Sequence, residues 1–328
     1  MAVQVIQNAG QETVFEQQGD CLRTNHDQKQ ETLNMIKRPH WIPRPLSTYH
    51  PAFYHAAIRM HRCCRWLEWR FDGRRYAGTT SDSVLPYRVK KHRSVLIRRY
   101  KGVDLALQLN KVENLSIVVD RVNGLLLRPG ETFSFCRRVG KPSRRRGFKE
   151  GVELCRGIAR PGIGGGICQA SNLLFWMALH TPLTVLERHH HSFDPFPDTG
   201  RVLPFASGAT VMYNYRDLRL HNPTPYTFQI RLWMDDKFLN GELRCSEELR
   251  YSYRVYEKNH RFEYRQGQYL RHNELWRRVI DKHGGGVTVR HEHLVSNSAE
   301  VKYVPTPERF LASSSIQEMG VAHDPEDA

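Results

Sequence analysis

The chain has 328 residues, 40% of them hydrophobic and 25% charged, with a formal net charge of +15. That is the composition of a globular protein with room for one large domain or two modest ones around a sizeable core. The longest apolar run, Leu173 to Leu179, falls well short of the roughly 20 residues that span a bilayer, which excludes a transmembrane helix. Seven cysteines, odd in number and irregular in spacing, exclude a disulfide framework, and without a CxxC pair a structural zinc site is not expected.

The first residues, Met1 to Gln30, are polar and Gln-rich, with no basic start, apolar stretch or cleavage site. The expectation is therefore no secretory signal and a cytoplasmic protein, with Met35 as an alternative start. Residues 1–50 read as a disordered or extended tail, the second part rich in proline. Apolar residues then recur at helical spacing from Ala52 to Phe71, and Gly73 suits a helix C-terminal cap. A second helix is predicted over Val112 to Val122, with Leu115, Val118, Val119 and Val122 on its buried side. Together they make 51–127 a helical N-terminal region.

Arg128-Pro129-Gly130 is a turn opening onto the alternating strand Glu131 to Phe135. A basic, turn-rich stretch leads to another strand at Val152 to Cys155. Further strands are expected at Leu183–Glu187, Ala209–Tyr213, Leu218–Leu220, Phe228–Met234 and Leu239–Arg244. Residues 128–245 form the core region on this reading. A β-rich extension over 246–304 carries one expected helix near His272 to Ile280, and 305–328 is a polar, disordered tail. The fold class is α+β: N-terminal helices, one buried central helix and mostly antiparallel sheet.

That central helix follows the least ordinary stretch of the chain, Gly162-Ile163-Gly164-Gly165-Gly166-Ile167-Cys168-Gln169. Glycines lose much conformational freedom on folding, so four in five positions imply a need for close backbone approach or for amides gathered on one cavity. The residues after them are apolar all round, so Ile167 to His180 is expected to be a buried helix starting within about two residues of Cys168. A cysteine at a helix N-terminus meets a partial positive charge that favours its thiolate. The bland alternative is a packing cysteine behind a glycine turn that lets helix and sheet approach. One strand later comes Glu187-Arg188-His189-His190-His191-Ser192-Phe193-Asp194. A histidine here could serve as base to Cys168, with Asp194 or Asp217 orienting it, or could join Cys168 on a metal; a solvated strand end is the plain reading.

Pro129 to Phe135, then Gly164-Gly165-Gly166-Ile167-Cys168-Gln169, then Glu187-Arg188 followed by His191, resemble the VanW family, from B-type glycopeptide-resistance gene clusters. Arg70 to Gly73 with Arg75-Tyr76-Ala77 upstream, and Ala209 to Val211, Asp217-Leu218 and Asn222 downstream, extend the likeness over roughly 50–245. The resemblance implies an accessory part in vancomycin resistance and cell-wall peptidoglycan metabolism. It singles out Cys168, His191 and Asp217 as matching positions without giving them roles. His189 and His190 stand where the family often differs.

Two functions compete on this reading. In the first, a hydrolase or acyl transferase acts on a peptidoglycan peptide or precursor, with Cys168 as nucleophile, His191 as base, Asp217 as orienting carboxylate and the glycine-loop amides as oxyanion hole. In the second, a non-catalytic module binds an anionic cell-wall precursor through Gly164, Gly165, Gly166, Gln169, Arg144, Arg145 and Arg146. A β-branched residue at Gly165 should then abolish binding and leave the fold intact. Neither reading calls for a cofactor or a resident metal. Nucleic-acid binding rests on charge alone and ranks last.

Overall fold

The structure is a computed structural model that describes residues 51–97, 104–155, 158–190, 193–194, 203–213 and 215–305. The chain divides into two compact units, one of residues 1–72 with 154–158, the other of 73–153 with 159–328. In the first unit, helix α1 (Pro51–Phe71) covers the span predicted from its periodicity. Arg65 pairs with Glu68 one turn along at 3.1 Å. The expected disorder of the N-terminal tail and of residues after 305 lies outside the described residues.

The second unit is built on three four-stranded sheets, and most residues of a two-stranded ribbon also belong to it. Strands β2 (Tyr87–Val95), β3 (Leu125–Leu127), β10 (Phe228–Met234) and β11 (Phe238–Cys245) pair antiparallel in the order β2-β11-β10-β3. Helix α2 (Leu105–Val122) packs on β10, and helix α4 (Cys168–Leu179) packs on β2 and β11. The second sheet has the order β1 (Arg75–Tyr76), β4 (Glu131–Ser134), β9 (Arg219–His221), β7 (Thr184–Glu187), with only β1 and β4 parallel. The third joins the long strands β12 (Tyr251–Arg265), β13 (Gln268–Asp281) and β14 (Val287–Val301), and short β8 (Phe193–Asp194) runs parallel along β14. The ribbon is β5 (Glu150–Cys155) with β6 (Ile158–Ile163). This is an α+β fold with mostly antiparallel sheet, as expected.

Helix α4 begins at Cys168, where the glycines predict it. Leu173, Leu174, Phe175, Trp176 and Met177 are all at most 6% exposed. No side chain caps its N-terminus, which forgoes about 1 kcal/mol. Burial of each large apolar side chain contributes about 1.5–3 kcal/mol, so packing decides that this segment is helical. Its seat on the sheet is at Gly241, where a Cβ would lie 2.7 Å from both Leu173 Cδ2 and Met177 Cε.

Four expectations are corrected. Helix α2 starts seven residues before Val112, because Asp104 caps it by accepting from the Ala106 amide at 2.9 Å. Its buried face carries Gln108, Lys111 and Asn114, and those polar residues hide the period. The helix expected at His272 to Ile280 is strand β13 instead: Arg271, Asn273, Leu275 and Val279 alternate inward at 2% exposure or less, the period of a strand. Ala209 to Tyr213 forms no strand. It holds instead a Met212–Arg216 bridge, and the Thr210 amide donates to His189 O at 2.7 Å. The strand from Glu131 stops at Ser134, whose hydroxyl accepts from the Arg137 amide at 3.1 Å and caps helix α3 (Phe135–Val139). Among the described residues, no helix is long and apolar enough to cross a membrane.

Candidate functional site

The glycine turn is shaped by three close approaches. Gly165 and Gly151 of β5 pass back to back, so that a Cβ on Gly165 would lie 2.2 Å from Gly151 O. Gly164 and Gly166 adopt φ of +80° and +91°, a region that disfavours side chains. Gly164 lies against Pro142, and the Lys111 side chain crosses Gly166 where a Cβ would stand 2.0 Å from Lys111 Cγ. Asn114, fully buried on α2, donates through Nδ2 to Lys149 O and Gly165 O, both at 3.0 Å, and accepts the Lys149 amide at 2.8 Å. Four polar groups are thereby satisfied inside the fold.

The amides of Gly164 and Gly165 bond to Lys149 O and Gly162 O, and those of Gln169 and Ala170 to Gly166 O and Ile167 O. Gly166, Ile167 and Cys168 are the turn amides without a backbone carbonyl partner among the described residues. They stand at the entrance of α4, the positive end of its dipole.

Cys168 is partly buried, and its thiol donates to Val211 O at 3.6 Å. Burial pushes the thiol above its ordinary pKa, and the Glu153 carboxylate adds to that while Arg216 opposes it. Loss of solvation thus works against the thiolate expected from the helix start. The segment around Val211 is strapped to the first turn of α4. Ser171 Oγ donates to Ala209 O at 2.6 Å, and Asn172 Oδ1 accepts the Ala209 amide at 2.7 Å. Thr210, between these anchors, buries a hydroxyl that has no hydrogen-bond partner.

The residues singled out from sequence divide. Gln169 donates through Nε2 to Ser94 Oγ at 3.0 Å and Val95 O at 2.8 Å, which ties α4 to β2. Asp217, 1% exposed, accepts from Ser134 Oγ at 2.5 Å and from the Cys136 and Leu218 amides at 2.8 and 2.9 Å. Its carboxylate therefore organises the start of α3. His191 lies outside the described residues. His189 Nε2 meets Glu187 Oε1 at 3.1 Å, and Glu187 also accepts the Asp217 amide at 3.0 Å and pairs with Arg219 Nε at 2.9 Å. In the basic run, which forms a 3-10 turn, Arg144 pairs with Glu150 at 2.5 Å. Arg146 donates to Val139 O and Lys141 O at 2.7 and 3.0 Å, and Arg145 is exposed.

Sequence reasoning missed what Arg188 does. It donates to Gly208 O and Asn297 Oδ1, each at 2.8 Å, bonds Ala206 O, and lies 4.9 Å over the Phe175 ring. Burial lowers its pKa to about 9. Asn297 Nδ2 in turn donates to Asn273 Oδ1 at 2.9 Å, and Asn273 donates to Glu257. This buried polar chain joins the α4 region to the third sheet. Its Arg188–Asn297 link spans 109 residues, beyond any local pattern. Among the described residues, no group of three His, Cys, Asp or Glu side chains is arranged to hold a metal ion.

The family described as VanW like protein matches residues 110–244. The vancomycin B-type resistance protein VanW of Enterococcus faecalis is 33% identical over 257 residues, which is 78% of this chain and 91% of that protein. Protein YoaR of Bacillus subtilis is 32% identical over 114 residues, 34% of this chain and 36% of YoaR. No solved structure matches.

Proposed function

The chain belongs to the VanW family, and from that premise we propose that it serves glycopeptide resistance as a binding module for an anionic cell-wall precursor. One observation carries this reading: the Gly166, Ile167 and Cys168 amides, at the start of α4, have no backbone carbonyl partner among the described residues, and the Arg216 charge acts on Cys168. Such an array suits a phosphate or carboxylate oxygen. The partnerless Thr210 hydroxyl, next in sequence to the Val211 carbonyl that accepts the thiol, offers one more donor. Precursors of this kind are made in the cytoplasm, where the chain would meet them. Nucleophilic catalysis by Cys168 is the competing reading. The upward shift of its thiol counts against that reading, because attack requires the thiolate.

The test is calorimetric titration of the full chain with a UDP-linked muramyl peptide precursor. Saturable binding that weakens with added salt is expected, with a loss of about tenfold in Arg216→Gln. No uptake by the folded wild-type chain, or release of a cleaved product during the titration, would overturn the binding module.

A further inference from the structure

Helix α1 of the first unit carries an apolar stripe that faces outward. Phe53, Ala57, Met60, Cys64, Leu67 and Phe71 recur at alternating steps of four and three, which stacks them along one side of a helix. Such a stripe ordinarily faces a core. Here Met60, Leu67 and Phe71 are 58%, 41% and 76% exposed, and Phe53 and Cys64 are exposed as well. We propose that this face of α1 lies on an anionic lipid surface, with the helix axis in the plane of the membrane.

The charges on the helix select this occupant. Arg59, Trp66 and Arg70 flank the stripe along one edge, and all three are exposed. The one acid of the helix, Glu68, stands at the opposite edge and pairs with Arg65 at 3.1 Å. The helix thus holds four arginines against one carboxylate. A second copy laid on this face would set arginine against arginine. An anionic bilayer offers phosphates to Arg59 and Arg70 and acyl chains to the stripe.

The geometry of the side chains agrees. Arginine stems are long enough to run along the apolar face while their guanidinium groups reach the headgroups. Trp66, apolar with one N–H donor, suits the boundary between the two. A nucleic acid would answer the charges but leave Met60, Leu67 and Phe71 in water. The helix has 21 residues, a length of about 30 Å. With Arg59, Arg62, Arg65 and Glu68 in its middle it is not apolar enough to cross a membrane, so it lies flat on one.

The full chain is pelleted with vesicles of phosphatidylglycerol and phosphatidylcholine in equal parts, and with phosphatidylcholine alone. Capture is expected on the mixed vesicles and is weakened by added salt. Arg70→Gln should lower the partition coefficient about fivefold. Leu67→Gln keeps every charge and should lower it about tenfold, while Arg254→Gln on β12 partitions as wild type. Thermal unfolding checks that each variant is folded, and should Leu67→Gln fail to fold, Met60→Gln replaces it. The contact is located by Cys63 and Cys64, both exposed on α1. Mixed vesicles should slow their reaction with a polyethylene-glycol maleimide about fivefold, because the bulky reagent stays in water. Absence of capture by the mixed vesicles, equal capture by phosphatidylcholine alone, or wild-type capture in Leu67→Gln overturns the proposal. Equal weakening by Arg254→Gln, or unshielded cysteines on captured protein, overturns it too. Light scattering of the lipid-free chain reads the rival occupant: a dimer that Leu67→Gln dissociates, without vesicle capture, gives the face to a second copy.

Discussion

Gly151 and Gly165 face each other so closely that a Cβ on either would lie within 2.4 Å of the other's carbonyl oxygen. Backbone on both sides leaves nothing that can rotate away. The glycine turn is therefore a packing device first, and whatever it binds is presented by the amides after it.

The first expected outcome concerns Gly165→Val. The sequence alone suggests a variant that loses binding and keeps its fold, whereas the contact with Gly151 says that the fold itself suffers. We expect a loss of about 3 kcal/mol, the upper end of overpacking costs, measured by urea unfolding. Gly78→Ala, with open space at the Cβ and no positive φ, should be neutral or gain up to about 1 kcal/mol.

Cys168 should be a slow thiol. Its pKa lies above the ordinary 9.0, so at pH 7 iodoacetamide should modify exposed Cys63 and Cys64 well before it, as mass spectrometry of timed samples will show. The linkage has a definite sign: stability from this group is present below the ordinary thiol pKa and lost as pH rises through the higher folded value. Cys168→Ser should flatten that alkaline loss. Faster alkylation of Cys168 than of the exposed pair would restore the nucleophile.

His180 should make the fold acid-sensitive. Burial, with Lys90, His92 and Arg277 nearby, depresses its pKa from 6.5 to about 3, and its Nδ1 lies 2.9 Å from Trp176 O. A depressed pKa contributes stability above pH 6.5 that is lost as pH falls toward 3. Between pH 6.5 and pH 5 the loss should be about 2 kcal/mol. Unfolding curves at the two pH values, for wild type and His180→Gln, test this; an equal acid loss in both chains would remove His180 as its source.

Asp217→Asn should act through the fold. The carboxylate holds the Ser134 hydroxyl and two amides in a buried site, and hydrogen bonds to a buried charge carry roughly 1.5–3 kcal/mol. We expect a stability loss in that range for Asp217→Asn and about 1 kcal/mol for Ser134→Ala, read from denaturant midpoints. A fully stable Asp217→Asn chain would contradict the structural role.

What the sequence by itself determined is local. The start of α4 at Cys168, the burial of Leu173 to Met177 and the strand Phe228–Met234 follow from period, glycine placement and apolar run, because each is set by neighbours within a few residues. The kinship with VanW proteins was legible in the same way, from short contiguous motifs. The tertiary structure decided the rest. Whether His272 to Ile280 is helix or strand depended on β12 and β14 pairing on either side of it. That Asp217 holds Ser134 and the start of α3 depended on groups far away along the chain being packed against it. The state of Cys168 turned on the loss of solvation that the folded chain imposes on it. Burial and long-range hydrogen bonds depend on the whole fold, and no window of sequence contains them.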